Sequence, residues 1–347
     1  MNSYKKIIIF KNDAVGDLVQ SLRAINNIIH HNKQNEILIY LSERSKNFDF
    51  FFKFKNVKIK IVKYDLTFKE KLSIFFNILN NKIYSIYILT PKNFYFYLPL
   101  FFRKIKFYAL CINSINNYKR PSFFLRKLLH KFVVNDRSTT NYRPSTMELQ
   151  KNLTDDLSFD EAFSIKNIPE FSFKNLDRPE NYIYFHLKIS HFKKLGWSRD
   201  ELRLLFKEIL NYTDNIIFTR DIEKIENKDD FKDEFNVINF SNQKKYINNS
   251  NIYLYEEIVG SDLLHIINNA KKVVAFHGMM TNLASINKKP VLDLFFSEIK
   301  STSDLNRYKN AIYEFKPRYK NYDLIIPSKN LEKTLRKMKF SLIKDYA

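Results

Sequence analysis

The stretch IIIFKNDAVGDLVQSL, from Ile7 to Leu22, decides the fold class of this chain. The apolar residues Ile7 to Phe10 predict a buried strand, and Lys11 to Gly16 predict a polar turn. After Asp17, apolar residues recur at helical spacing. A strand, a glycine-bearing turn and a helix form the opening unit of an α/β domain. Ligands bind such sheets at the carboxyl ends of the strands, where this turn lies.

Gly16 and Asp17 are the candidate functional pair of the turn. The chain has only 4 glycines in 347 residues, against about 7% in average usage, so each glycine is informative. A purely structural role is the alternative, because glycine allows a tight turn and aspartate before an apolar run is a good helix N-cap.

Composition indicates an ordinary globular protein. A length of 347 residues suggests two domains, and 45% hydrophobic and 27% charged residues do not indicate disorder. The single cysteine, Cys111, excludes an internal disulfide framework and a cysteine-rich metal site, and it favours a reducing compartment. The longest apolar block, Phe94 to Phe102, contains Pro99 and is too short to span a bilayer. We therefore expect a cytoplasmic protein that can touch a membrane only at its surface.

The net charge of +21 is unevenly distributed. From Lys71 to Asn135 there is no Asp or Glu, whereas eleven Lys and Arg occur. Such a segment attracts anions, so nucleic acid, anionic lipid and a phosphorylated glycan are the candidate partners. A lysine-rich solvated surface is the plain alternative.

Part of this segment, PSFFLRKLLHKFVV from Pro121 to Val134, predicts a basic amphipathic helix. Its apolar side carries Phe124 and Leu128, and its polar side carries Arg126 and Lys127. Such a helix can lie on the headgroups of an anionic bilayer, although packing on its own domain is the more common use.

Strands and helices alternate along the chain, which favours doubly wound sheets over a sandwich. Weak periodicity and several acids over 155–180 predict a connection between two domains. We expect a first domain over 1–160, a connection over 161–180 and a second domain over 181–347. The expected elements of the first domain are strands Ile7–Phe10, Glu36–Leu41, Val57–Val62, Ile83–Leu89 and Ile105–Leu110, and a helix Phe68–Leu79. Those of the second are strands Tyr182–Leu187, Ile216–Thr219, Phe235–Phe240, Lys272–Phe276 and Val291–Phe295, a polar loop over 188–196, and helices from Trp197 and over Asp262–Asn269, Thr281–Ile286 and Asn330–Ile343.

Two stretches of the second domain predict an anion site. In VVAFHGMMTNLAS, a buried strand runs into His277 and Gly278, and a helix follows with Thr281 and Asn282 in its first turns. Backbone N–H groups at a helix start, with a hydroxyl and an amide nearby, can receive a phosphate or diphosphate. The polar loop supplies further candidate groups: Lys188, Ser190, Lys193 and Lys194.

The order of these motifs resembles glycosyltransferase family 9, the ADP-heptose:lipopolysaccharide heptosyltransferases. Members open with a strand, a polar turn, Gly-Asp and a helix, as IIIFKNDAVGDLVQSLRAI does. They enter the second domain with a strand, a lysine-containing loop and a tryptophan, as YFHLKISHFKKLGWSRDEL does. A short helix and a strand lead to their donor site, as in GSDLLHIINNAKKVVAFHGMMTNLASINKKPVLDLF. The resemblance covers the chain end to end and implies the α/β GT-B fold, two Rossmann-like domains with parallel sheets facing across a cleft.

The resemblance also implies a reaction. Asp17 falls on the family's catalytic aspartate and would act as general base in an inverting, metal-independent sugar transfer without a cofactor. The implied partners are a nucleotide-sugar donor, ADP-heptose or similar, and an anionic glycolipid acceptor of the lipopolysaccharide core type. The implied place is the cytoplasm, peripherally on the inner face of the inner membrane. The donor-binding candidates are Lys188, Ser190, Lys193, Lys194, His277, Gly278, Thr281 and Asn282, and the acceptor-binding candidates are Arg23, Arg120, Arg126 and Lys127.

Four alternatives remain. A GT-B transferase with another donor and acceptor is one, because His277-Gly278-Met279 stands where the family has Asp-Thr-Gly and Asn282 where it has His. A relative without activity is another. An oxidoreductase is disfavoured because the first turn lacks G-x-G-x-x-G. A nucleic-acid-binding protein is disfavoured because no RNA- or DNA-binding module is recognisable, so we expect no nucleic-acid partner.

Overall fold

The structure, a computed structural model, describes residues 5–113, 123–136, 146–154, 168–173, 176, 178–221, 231–296, 312 and 321–344. The chain divides into two compact units. Described residues up to Thr154 belong to the first unit, and those from Ile168 belong to the second, apart from Ile312. The described part of the expected connection therefore groups with the second unit.

The first unit is built on a six-stranded parallel sheet with the strand order β3-β2-β1-β4-β5-β6. Its strands are β1 Lys6–Lys11, β2 Glu36–Ser42, β3 Val57–Val62, β4 Ile83–Ile88, β5 Lys106–Asn113 and β6 Lys131–Asp136. Its helices are α1 Val15–His31, α2 Phe68–Leu79, α3 Asn93–Phe101, α4 Phe123–Arg126 and α5 Thr146–Leu153, with a 3-10 segment over Glu43–Phe52.

The core of this unit follows from alternation along the strands. Ile8 and Phe10 of β1 face a cluster that also contains Ile74 and Ile78 of α2 and residues of α3. Helices α2 and α3 therefore cover this face of the sheet. A capping box of Thr67 and Glu70 fixes the start of α2.

The second unit has an eight-stranded sheet with the order β10-β9-β11-β8-β7-β12-β13-β14. Among the described strands of this sheet, only β10 runs antiparallel, and it pairs with β9 at one edge. Its strands are β7 Tyr182–Leu187, β8 Asn215–Arg220, β9 Asn236–Asn239, β10 Lys244–Tyr246, β11 Ile252–Glu256, β12 Lys272–Phe276, β13 Val291–Leu294 and β14 Tyr322–Ile325. Its helices are α6 Ile189–Leu195, α7 Arg199–Leu210, α8 Gly260–Asn269, α9 Met279–Ile286 and α10 Leu331–Ile343, with a 3-10 turn over Phe231–Asp233.

Most expected strands are confirmed within two or three residues at their ends, and the prediction of two doubly wound parallel sheets is confirmed. The burial of Cys111 is confirmed as well. Sequence patterns missed α3 and the strands β10, β11 and β14. Those strands are short, and β10 is exposed throughout, so their periodicity is too weak to detect.

Two expected segments are wrong. The basic helix over Pro121–Val134 is not formed: within the described residues of that run, α4 spans only Phe123–Arg126 and β6 begins at Lys131. Residues Lys131–Asp136 pair with β5 instead, and the partner strand selects the extended conformation there. The polar loop over 188–196 contains α6, which ends at Gly196 in the left-handed conformation, φ 73°.

Each sheet has one topological switch point, where consecutive crossovers leave in opposite directions. It lies between β1 and β4 in the first unit and between β7 and β12 in the second. Ligands of open α/β sheets bind beyond the carboxyl ends of the strands at such points. The Gly16–Asp17 stretch and the His277–Gly278 stretch follow β1 and β12, so each lies at one of these positions.

Candidate functional sites

Asp17 is an exposed residue at the start of α1. The helix begins at Val15 with Ala14 as its N-cap, so Gly16 and Asp17 lie inside its first turn. The expectation that the polar turn runs to Gly16 is therefore wrong, and so is the alternative in which Asp17 caps the helix. An acidic side chain in the first turn interacts favourably with the positive end of the helix dipole.

Asp13, four residues earlier, lies in a buried polar network. Its Oδ2 accepts hydrogen bonds from Nζ of Lys11 at 2.8 Å and Oγ1 of Thr90 at 2.9 Å. No described group bonds its Oδ1, which is also buried. Burial raises the pKa of the Asp13 carboxyl, Lys11 opposes that rise, and the nearby charge of Asp17 adds to it. This network places a second carboxylate close enough to Asp17 for the two charges to interact.

The expected acceptor residues are not brought together. Arg23 lies six positions after Asp17, about 9 Å further along α1 and roughly 120° around it. Arg126 ends α4 and Lys127 follows it, four residues before β6 begins. They lie near the amino ends of the strands, the edge opposite to Asp17. Arg120 lies outside the described residues.

His277 of the second unit is bound to a buried carboxylate. Its Nδ1 lies 2.6 Å from Oδ2 of Asp293, whose side chain has no exposed surface. The hydroxyl of Tyr322 donates to the same oxygen. The strands β12, β13 and β14 pair in parallel, which brings these three residues together. Asp293 lies opposite Ala275, two residues before His277. Leu292, next to Asp293, lies opposite Asp323, which follows Tyr322.

A cluster of positive and imidazole groups surrounds the end of β12. Lys188 follows the neighbouring strand β7, and its Nζ lies 3.5 Å from the carbonyl oxygen of His277. Burial, and then the charges of Lys188, Lys194 and His277, lower the pKa of His191 to about 4. Because all three lie close enough to act on His191, they define one electropositive site, which we call the β7–β12 cluster.

The remaining donor candidates differ in their surroundings. Ser190 is half-buried on α6, and Lys193 is exposed on the same helix. Thr281 and Asn282 are buried, and both side chains donate to the carbonyl oxygen of Gly278, at 2.9 Å and 3.0 Å. Both side chains are therefore used within the first turn of α9. The backbone N–H groups of that turn are the donors that the helix offers to a ligand.

Sequence reasoning missed Asp13, Asp293 and Tyr322. A charged residue inside the apolar run VLDLFF was a detectable signal for Asp293, because an unpaired carboxylate is rarely buried. Lys11 and Asp13 beside a buried strand carried a similar signal. No local pattern marked Tyr322. Among the described residues, no group of three or more His, Cys, Asp or Glu side chains could hold a metal ion.

Two Rossmann-like domains with these strand orders define the GT-B class of fold. By sequence, the chain matches no protein-family model and no curated protein. Solved structures do match along its length. A glycosyl transferase family 9 protein from Veillonella parvula DSM 2008 has a TM-score of 0.59 and 12% identity, covering 99% of this chain and 91% of that one.

Two further structures are similar at the same level. The ADP-heptose lps heptosyltransferase II of E. coli has a TM-score of 0.61 and 12% identity, covering 97% of this chain and 98% of that one. The UDP-GlcNAc 2-epimerase of Methanocaldococcus jannaschii has a TM-score of 0.56 and 16% identity, covering 99% and 94%. At such identities the likeness establishes the fold, which this chain shares with transferases and epimerases of nucleotide sugars.

Proposed function

We propose that this protein is an inverting, metal-independent glycosyltransferase. It moves a heptose-like sugar from a nucleotide sugar to a lipopolysaccharide core or a related surface glycan. The observation that carries this proposal is the β7–β12 cluster, in which Nζ of Lys188 lies 3.5 Å from the carbonyl oxygen of His277, two residues before α9, and Lys194 acts on the neighbouring His191. Such a site suits a diphosphate, because cations and helix N–H groups both favour negative charge.

Asp17 is the proposed general base. It removes the proton of an acceptor hydroxyl as that oxygen bonds to the anomeric carbon of the sugar. The bond from that carbon to the diphosphate oxygen breaks, and the nucleoside diphosphate leaves with the electron pair. Aspartate is a weak base near neutral pH, so the proton moves late and Asp17 acts largely by positioning. The β7–β12 cluster stabilises the charge that develops on the leaving group.

The donor and acceptor are proposed from two sources. ADP-heptose is proposed as the donor because the similar E. coli structure is that of an ADP-heptose lps heptosyltransferase. The anionic glycolipid acceptor rests on the acid-free basic segment over residues 71–135. A UDP sugar is the alternative donor, favoured by the similar epimerase. We place the reaction in the cytoplasm, at the inner face of the inner membrane, with no nucleic-acid partner.

A thermal-shift screen against ADP, UDP, GDP and CMP and their sugar conjugates tests the donor site. A ligand at one hundred times its dissociation constant stabilises a fold by about 2.7 kcal/mol. We expect one nucleotide series to stabilise the protein and Lys188→Gln to abolish the shift. Lys207→Gln, at an exposed position of α7, should leave the shift unchanged.

Radiolabelled transfer to a deep-rough lipopolysaccharide from the selected donor then tests the reaction. Stabilisation without transfer to any glycolipid would refute the acceptor, and absence of stabilisation by every nucleotide would refute the transferase itself.

A further inference from the structure

An apolar stripe lies exposed along α2. Phe68, Leu72, Phe76 and Leu79 are spaced four, four and three residues apart, so they share one side of the helix. Phe76 is 52% exposed and Leu79 is 58% exposed. The opposite side of the helix, with Ile74 and Ile78, is already buried in the core. The stripe is therefore additional to what the fold of this unit requires.

The stripe continues onto α3. Phe75 packs against Phe101 and Phe102, with ring centroids 5.4 Å and 5.1 Å apart, and so joins the two helices. Phe101 is 66% exposed, and Tyr97 and Leu100 are exposed beside it. A groove of about 790 Å³ lies between the ends of the helices, lined by Leu79, Leu100 and Phe101. Monomeric proteins seldom leave contiguous apolar areas of this kind open without a function.

Cations border the same groove. Lys82, Arg103 and Lys104 line it together with the apolar side chains. No Asp or Glu occurs between residues 71 and 135, so this stretch of sequence supplies positive side chains to the border and no negative ones. Glu70, at the start of α2, is used in the capping box with Thr67 and accepts a hydrogen bond from the backbone of Lys63.

Helix α4 extends the basic border. It lies against α3 and carries Phe124, which is exposed, and Arg126. The expected long basic helix is thus replaced by a single turn that belongs to a larger surface. We define the α2–α3 surface as Phe68, Leu72, Phe76, Leu79, Tyr97, Leu100 and Phe101 with the cations Lys82, Arg103, Lys104, Arg126 and Lys127.

We propose that the α2–α3 surface docks on an anionic lipid bilayer. Aromatic and leucine side chains enter the boundary between headgroups and acyl chains, and the surrounding Lys and Arg pair with anionic headgroups. A protein partner would need acidic groups at positions that match these cations. The headgroups of a fluid anionic bilayer can move to meet the cations wherever they lie. No described helix is long and apolar enough to cross a membrane.

The position of the stripe also bears on the proposed reaction. Phe68 lies just beyond the carboxyl end of β3, the sheet edge that carries Asp17, and α2 extends about 18 Å from there. The stripe therefore begins near the edge that carries Asp17 and runs to the opposite edge, where Lys82 and Arg103 precede β4 and β5. If Asp17 acts as proposed, one end of the docked surface lies at the edge where the acceptor is activated. Docking itself does not depend on the sugar, the nucleotide or any transfer.

Co-sedimentation of the full chain with vesicles, without nucleotide, tests the proposal. Vesicles containing phosphatidylglycerol should bind the protein, and vesicles of phosphatidylcholine alone should bind it far more weakly. Leu79→Ser should lower the partition coefficient about tenfold, because one largely exposed leucine no longer inserts. Leu204→Ser is the matched control, since Leu204 is 52% exposed on α7 of the second unit.

The charged border has its own test. Arg103→Gln and Lys104→Gln should each weaken binding about fivefold, and the loss should shrink as salt is raised. Lys207→Gln should have no such effect. Equal binding of the Leu79 and Leu204 variants, or no binding of the wild type to anionic vesicles, would overturn the proposal. So would self-association that Phe76→Ser abolishes, because the surface would then join two copies of the chain.

Discussion

The imidazole of His277 and the carboxylate of Asp293 form a buried pair, with Nδ1 and Oδ2 2.6 Å apart. The hydroxyl of Tyr322, whose pKa is raised by burial and by Asp293, donates to the same carboxylate oxygen. When the imidazole donates the hydrogen bond at this contact, its proton lies on Nδ1 and Oδ2 of Asp293 accepts it. Asp293 thereby sets the tautomer and the orientation of His277 beside the start of α9.

Asp293→Asn should weaken nucleotide binding at least tenfold while the protein stays folded. The amide can donate as well as accept, so it no longer enforces a proton on Nδ1. Titration with the nucleotide selected by the thermal screen measures the affinity. The ¹⁵N chemical shifts of His277 report the tautomer, which a purely structural defect would leave unchanged.

Tyr322→Phe is the control for that substitution. It removes one hydrogen bond to Asp293 and keeps the aromatic ring, so the imidazole contact persists. We expect the tautomer of His277 to be retained and affinity to change by less than in Asp293→Asn. An unaltered ¹⁵N spectrum in the Asp293→Asn protein would remove Asp293 from the positioning of His277.

Asp17→Asn should lower the turnover number by about 10² to 10⁴, the usual contribution of a general base. Donor affinity and the unfolding midpoint should change little, because Asp17 is exposed. The matched control is Asp200→Asn, which also alters an exposed aspartate in the first turn of a helix, here α7. Wild-type turnover in the Asp17 variant would exclude it from the chemistry.

Substitutions of Lys11 and Asp13 should have non-additive effects on the free energy of unfolding. Removing either partner leaves a buried charge without its counterion, at a cost of about 3–5 kcal/mol. The double variant Lys11→Met, Asp13→Asn removes both charges, so its destabilisation should be clearly smaller than the sum of the single effects. Urea unfolding of the four proteins measures this cycle, and simple additivity would show that the pair does not interact.

His186 should make stability depend on pH. Burial, and then the charge of Lys188, lower its pKa to about 4, well below the ordinary value of 6.5. The unfolded chain therefore binds a proton more readily than the folded one between these values. The stabilisation is complete above about pH 6.5 and is lost as the pH falls toward 4, by about 3 kcal/mol in all.

Unfolding free energies measured from pH 7.5 to 4 test this dependence. His186→Asn keeps a polar group for Thr219, which lies 2.9 Å from Nδ1 of His186, and should flatten the curve. His191 contributes in the same direction but less, because it is partly exposed and solvent screens its neighbours. A variant with the wild-type slope would assign the pH dependence to other groups.

Local sequence patterns predicted most of the helices and strands. Val57–Val62, Phe68–Leu79, Tyr182–Leu187 and Lys272–Phe276 occur with the expected bounds, because apolar periodicity of two or nearly four reports which side of an element is buried. The strand followed by Gly16 and Asp17 placed the first site at a carboxyl edge for the same reason. The second candidate site followed from the strand Lys272–Phe276, which His277 follows directly.

The failure over Pro121–Val134 has a definite cause. Its apolar residues fit a helical stripe, but Phe132, Val133 and Val134 also fit a half-buried edge strand once β5 is present to pair with it. Periodicity in a short run reports burial and not the element type, and the partner strand decides between them.

The amino-acid sequence by itself determined the two α/β units, the excess of positive charge in the first, and the strand ends at which Asp17 and His277 lie. These features depend on neighbours within one element. Only tertiary structure decided which side chains meet: Asp293 reaches His277 because β13 pairs with β12, and Asp13 reaches Thr90 because β4 pairs with β1. It also left the α2–α3 surface uncovered. Contacts between distant residues arise from strand pairing and helix packing, which no local pattern encodes.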